Sequence, residues 1–147
     1  MYKNILIPTD GSPLAQAAAL AAVKLARSMG ARVTGYFAAP PATPVVYKDL
    51  APVGYMTTRE HAAAIKTASE RYLGAIEDAA RKAGVPCKTV CTTSDFPADA
   101  ILATAKKEKC DLIFIASHGR RGLAGVILGS QTQKVLAKAK IPVLVHR

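Results

Sequence analysis

At 147 residues, half of them hydrophobic and none of them Trp, the chain fits one domain, residues 1–147, whose continuous core needs no metal or disulfide staples. No stretch approaches the roughly 20 apolar residues of a membrane span, and Met1-Tyr2-Lys3-Asn4-Ile5 is not a basic segment followed by a long apolar run, so a soluble, cytoplasmic protein with no membrane partner is expected. The formal net charge of +10 favours polyanions in general without choosing among them, and much of it falls at Lys106, Lys107, Lys109, Lys134, Lys138 and Lys140, where solvation near helix C-termini accounts for it.

Lys3 to Pro8 holds Ile5-Leu6-Ile7, a short apolar run that reads as a buried strand and ends in the turn Thr9-Asp10-Gly11-Ser12. Ser12 then serves as N-cap and Pro13 as first helical residue. Leu14, Ala17, Ala18, Ala21 and Leu25 supply the apolar stripe and Gly30 the stop. Residues 31 to 38 read as a second strand. After it Pro40, Pro41, Pro44 and Pro52 enforce a long irregular connection of the kind that often carries function. Thr57 and Glu60 form a capping box for a long helix with Ile65, Tyr72, Leu73 and Ile76 on its buried face, ended by Gly84 and Pro86.

Cys87 to Thr93 reads as a third strand, Pro97 to Lys109 as a helix, Leu112 to Ala116 as a fourth strand, Gly129 to Ala139 as a helix and Ile141 to His146 as a fifth strand. Strict alternation of strand and helix, with strands apolar on both faces, predicts an open, doubly wound α/β fold. Its mainly parallel five-stranded sheet is covered on both sides by right-handed crossovers.

The three cysteines make an odd number, and Cys87 and Cys91 on one strand lie roughly 13 Å apart at 3.3 Å per residue, beyond a disulfide's reach. Reduced, buried thiols are expected. Neither the cysteines nor His61, His118 and His146 have zinc-ligand spacing, so no metal site built from protein ligands alone is expected.

Doubly wound sheets bind ligands beyond the carboxyl ends of their strands, where successive crossovers change side. In the order 3-2-1-4-5 strands one and four straddle that point. Their turns, Pro8-Thr9-Asp10-Gly11-Ser12 and Ala116-Ser117-His118-Gly119-Arg120-Arg121-Gly122, then face one crevice. The second turn feeds a helix N-terminus at Gly129-Ser130, an architecture suited to phosphate: glycines admit the anion, first-turn N–H groups donate to it, and Arg120 and Arg121 add charge-assisted contacts. Ser130 and Gln133 equally fit a capping box, in which case Ser130 only caps its helix. Asp10 is either a contact for a ribose or metal ion or a turn residue bonded to nearby N–H groups. His118 is the sole nearby candidate for a general base, against its commoner use as a structural hydrogen-bonder. No G-x-x-x-x-G-K-[ST] occurs and no G-x-G-x-x-G follows the first strand, which disfavours a P-loop enzyme and a dinucleotide dehydrogenase.

The opening Ile5-Leu6-Ile7-Pro8-Thr9-Asp10-Gly11-Ser12, the segment 116 to 134 and the closing Ile141-Pro142-Val143-Leu144-Val145 together resemble the universal stress protein family nearly end to end. The resemblance implies sheet order 3-2-1-4-5. It also implies a G-2x-G-9x-G-[ST] signature of the nucleotide-binding branch, matched here by Gly119, Gly129 and Ser130, with Ala116 in place of the first glycine. By that resemblance the site comprises Pro8, Thr9 and Asp10, with Asp10 at the ribose and Ala38 against adenine through its backbone. Ala116, His118, Gly119 and Arg120 line it, and Gly119, Gly129, Ser130 and Gln131 hold phosphates, which Mg²⁺ or Mn²⁺ bridges near Asp10. The ligand implied is ATP, ADP or AMP. The function implied is a stress-response regulator with little or no hydrolysis, and the alternative is a homologue that has lost nucleotide binding and acts through protein contacts. A homodimer through the edge residues Val143, Leu144 and Val145 is also implied, since an unpaired apolar edge invites pairing. Nucleic acid is disfavoured: the chain has no recognition-helix motif and no aromatic stacking platform in basic surroundings.

Overall fold

The computed structural model describes residues 1–42, 57–120, 122 and 127–147. In chain order the elements are β1 (Asn4–Pro8), α1 (Pro13–Met29), β2 (Arg32–Ala39), α2 (Thr58–Ala83), β3 (Cys87–Thr93), α3 (Pro97–Lys107), β4 (Leu112–Ala116), α4 (Ser130–Lys138) and β5 (Val143–His146). The strands form one sheet in the order β3-β2-β1-β4-β5. Every pairing is parallel, as the expected order requires. The long connection after β2 falls mostly on residues 43–56, outside the described residues, as do Arg121 and residues 123–126.

Two apolar layers flank the sheet. On one face Ile5, Ile7, Val33, Phe37 and Phe114 pack under α1 and α2; on the other Leu6, Tyr36, Ile113 and Ile115 pack under α3 and α4. Successive crossovers therefore change side between β1 and β4, which puts the crevice above those two strands. β1 and β4 are buried along their whole length, whereas the edge strand β3 is largely exposed, so it is not the two-sided apolar strand expected. No helix among the described residues is long and apolar enough to cross a membrane.

The caps follow the sequence. Ser12 Oγ accepts the Ala15 N–H at 3.2 Å, a cap worth ~1 kcal/mol. Thr57 and Glu60 form the reciprocal box, with Thr57 N–H to Glu60 at 2.7 Å and Glu60 N–H to Thr57 at 3.1 Å. Gly30 and Gly84 end α1 and α2 in the left-handed conformation. Other expectations need correction. The buried face of α1 is Ala15, Ala18, Ala19, Ala22, Val23 and Ala26, while Leu14, Ala21 and Leu25 pack at its margin and Ala17 is exposed. A helix this rich in alanine lets small residues sit closest to the sheet. α3 stops at Lys107, two residues early, because Lys109 takes φ 54° and its N–H returns to Lys106 O. Cys110 is buried and Cys87 half-buried, but Cys91 is exposed on the β3 edge rather than buried.

Candidate functional site

The two turns beyond β1 and β4 meet. Asp10 Oδ1 accepts the Ser12 N–H at 3.0 Å, closing the local turn, and Oδ2 accepts the Arg120 N–H at 2.8 Å across the crevice. Asp10 is thus a turn residue and at the same time the tie between the two loops. Each carboxylate oxygen keeps acceptor capacity beyond the one N–H it holds. A methyl group on Gly119 would overlap Asp10 Oδ2. Gly119 has no positive φ, so close approach is the reason for glycine there.

The start of α4 is fastened to the end of β4. Gly129 N–H donates to Ser117 O at 2.7 Å, the buried Thr132 hydroxyl donates to Ala116 O at 2.9 Å, and a Cβ on Gly129 would lie 3.2 Å from His118 Cα. The first helical hydrogen bond of α4 runs from Gln133 to Gly129, which leaves the N–H groups of Ser130, Gln131 and Thr132 ahead of it without a helical acceptor. Gly129, not Ser130, is the N-cap, and the Ser130–Gln133 capping box does not form. Gln133 Nε2 instead donates to Leu128 O at 2.9 Å, and Ser130 is the exposed first residue of the helix. With Gly129 as N-cap, the Ser130 hydroxyl is not used in capping.

Ala116, in the position of the signature's first glycine, is an ordinary strand residue without positive φ. Its Cβ imposes no backbone strain. Pro8 is buried at the end of β1, and the next N–H, of Thr9, donates to Tyr36 O at 2.8 Å. Ala39 O, facing the other way, accepts the Ser94 N–H at 2.9 Å. Peptide groups alternate sides along a strand, so the Ala38 N–H and C=O face the β1 side, where β1 has already turned away after Pro8. Among the described residues, the Ala38 peptide edge that faces the crevice has no backbone partner.

Two side chains, Arg120 and Gln131, depart from expectation. The Arg120 guanidinium lies over the Tyr72 ring, 5.0 Å from its centroid, and donates to the Tyr72 hydroxyl, so it is held against α2 rather than at the start of α4. Gln131 Oε1 accepts the Ala98 N–H at 3.2 Å and caps α3, whose N-cap Phe96 provides no side-chain bond, so the Gln131 carboxamide oxygen is committed to α3. His118 Nδ1 lies 3.2 Å from the Ser117 hydroxyl, a local structural pairing.

A groove of about 490 Å³ runs between Gly11–Leu14 and His118–Arg120. A larger one, about 540 Å³, lies between α2 and β3, lined by His61, Lys66, Glu70, Cys91 and Thr93 among others, and contains none of the expected site residues. Among the described residues no group of three or more His, Cys, Asp or Glu is placed to hold a metal ion. Tyr72 is the site neighbour that motif reading misses: it sits on α2, more than 40 residues from either turn, and its sequence signal is that of a core residue.

The universal stress protein family model matches residues 1–147. A universal stress protein of Thermus aquaticus is 35% identical over 147 residues, covering 100% of both chains. Among solved structures, the universal stress protein UspA of Lactobacillus plantarum superposes with TM-score 0.79 at 25% identity, covering 99% of this chain and 98% of that one. The Archaeoglobus fulgidus universal stress protein in complex with dAMP superposes with TM-score 0.69 at 20% identity, covering 99% and 98%. With a full-length family match and the expected sheet order, the chain belongs to the universal stress protein family.

Proposed function

We propose that this protein binds an adenine nucleotide, ATP or its ADP and AMP forms, in the crevice beyond β1, β2 and β4, and acts as a stress-response regulator with little or no hydrolysis. The observation that carries the reading is the junction of Asp10 with Gly119 and Arg120. It brings a carboxylate with spare lone pairs to the glycine turn that leads to α4. The assignments follow the chemistry of each position. Ala38 offers a peptide edge to the base, Asp10 accepts ribose hydroxyls, and Ser130, Gln131 and Thr132 supply first-turn N–H donors for phosphate where the helix dipole favours negative charge. Pro8, Thr9 and Ala116 form the floor, and His118, Gly119, Arg120 and Gly129 the wall. The Archaeoglobus relative in complex with dAMP supports an adenine nucleotide as the ligand class.

Mg²⁺ or Mn²⁺ enters through the nucleotide's phosphates, with Asp10 the nearest carboxylate to share it. His118 faces Ser117 and has no role as a general base in this reading, so turnover is slow or absent. Two copies pair through Val143, Leu144 and Val145: β5 is an edge strand and Leu144 is 38% exposed. The protein works in the cytoplasm as a single domain.

A second reading, a dimer that has lost nucleotide binding, draws on the engagement of Arg120 with Tyr72 and of Gln131 with Ala98. Native mass spectrometry of protein purified without added nucleotide separates the two. Adducts with the masses of AMP, ADP or ATP support the first reading. A dimer that stays bare even after incubation with each nucleotide supports the second.

A further inference from the structure

Both turns of the crevice rest on one aromatic ring contributed by α2. The Tyr72 ring is 7% exposed, held edge-on by Phe37 with centroids 5.2 Å apart and planes at 87°. A Cβ on Gly11 would fall inside that ring, and Gly11 has φ 75°, so the first turn lies directly against Tyr72 with no side chain between them. The second turn reaches the same ring through Arg120, whose guanidinium stacks over it and donates to its hydroxyl. Arg71 approaches as well, 5.1 Å from the centroid, with Nη2 3.4 Å from the hydroxyl. The ion pairs among the described residues involve neither arginine, and among those residues it is the Tyr72 phenol and its π-face that contact both cations.

We infer that Tyr72 is a positioning residue of the crevice: its ring sets the separation of the two turns, and through Arg120 it holds the Gly119–Arg120 peptide where its N–H meets Asp10. The inference rests on the adenine-nucleotide reading for its functional consequence, but its structural content stands on geometry alone. Gly11 and Arg120 are separated by more than 100 residues, and the Asp10 bond to the Arg120 N–H closes only if both turns keep their seats on the ring. The ring matters more than the hydroxyl, because ring carbons are the atoms nearest a Cβ on Gly11 and the stacking of Arg120 needs only the π-face.

The test compares the unmodified full chain with Tyr72→Phe and Tyr72→Leu, following residue-level amide exchange without ligand and AMP and ATP titrations. In Tyr72→Leu the Arg120 amide is expected to exchange about tenfold faster while the Ile113 amide in β4 is unchanged, and nucleotide affinity falls about fivefold; Tyr72→Phe restores both to within about twofold of the unmodified protein. If Tyr72→Leu does not fold, Arg120→Met, which removes the guanidinium with both its stacking and its hydrogen bond to Tyr72, carries the same expectation for the amide at position 120. An Arg120 amide unchanged in the folded variants, or accelerated only in step with Ile113, overturns the positioning role. Failure of the unmodified protein to bind either nucleotide defeats the nucleotide reading, and the exchange comparison then decides the role of Tyr72 alone.

Discussion

The Asp10 carboxylate accepts the Arg120 N–H at 2.8 Å, joining the turn after β1 to the turn after β4 at the point where the crossovers change side. The same carboxylate holds the Ser12 N–H at 3.0 Å. One side chain thus orders the entry to α1 and the exit from β4 together, and a ligand bound there meets a wall already assembled.

Removing that carboxylate is expected to cost stability as well as binding. Asp10→Ala leaves the Ser12 and Arg120 N–H groups without their acceptor and lowers unfolding free energy by about 1–2 kcal/mol. Asp10→Asn keeps one acceptor oxygen and falls between the two. Urea unfolding at unchanged m-value checks the order.

The glycines sort by what surrounds them. At Gly119 an added methyl overlaps Asp10 Oδ2, and at Gly129 it presses on the His118 backbone at 3.2 Å. Gly119→Ala therefore breaks the Asp10 junction, and Gly129→Val displaces the start of α4. Gly74 lies inside α2 with open space where its Cβ would be, so Gly74→Ala is expected to stabilise the protein by about 0.5–1 kcal/mol. Thermal unfolding of the three variants measures the contrast.

Ala116 departs from the signature without consequence for the backbone, because its conformation is one any residue adopts. Ala116→Gly restores the signature and is expected to lower stability by about 0.5–1 kcal/mol, while changing ATP affinity by less than about twofold. A large gain in affinity would mean that the methyl group crowds the ligand.

How far the chain was legible in advance depends on the range of the signal. Strands and helices were legible because Ile5-Leu6-Ile7, Leu112–Ala116 and the caps at Ser12 and Thr57 are local patterns with local causes. That the turns after β1 and β4 meet was legible from their addresses at strand ends. Gly129 as N-cap was not, since Gly129 and Ser130 are both acceptable caps by sequence and the ties of the α4 start to Ser117 and Ala116 are tertiary. The engagement of Gln131 with Ala98 and of Arg120 with Tyr72 depends on tertiary neighbours that no local spacing encodes. The stripe of α1 was misjudged because alanines on every side blur the helical period.

Thiol reactivity should follow burial. Desolvation raises the Cys87 and Cys110 thiols above their ordinary pKa, with Glu77 adding to the shift at Cys87, whereas Cys91 is exposed. A raised pKa keeps a thiol protonated, and therefore unreactive, to higher pH. Titration with a chromogenic disulfide near pH 8 should modify Cys91 first and the other two slowly, with their rates climbing as pH rises further. Peptide mapping of the labelled protein identifies the order.

Calorimetric titration of the unmodified protein with ATP and Mg²⁺, run beside Gly129→Val, tests the central claim most directly. The crevice assignment requires saturable binding near one nucleotide per chain that disappears in the variant. Absence of heat in the unmodified protein, or equal binding by both proteins, would contradict it.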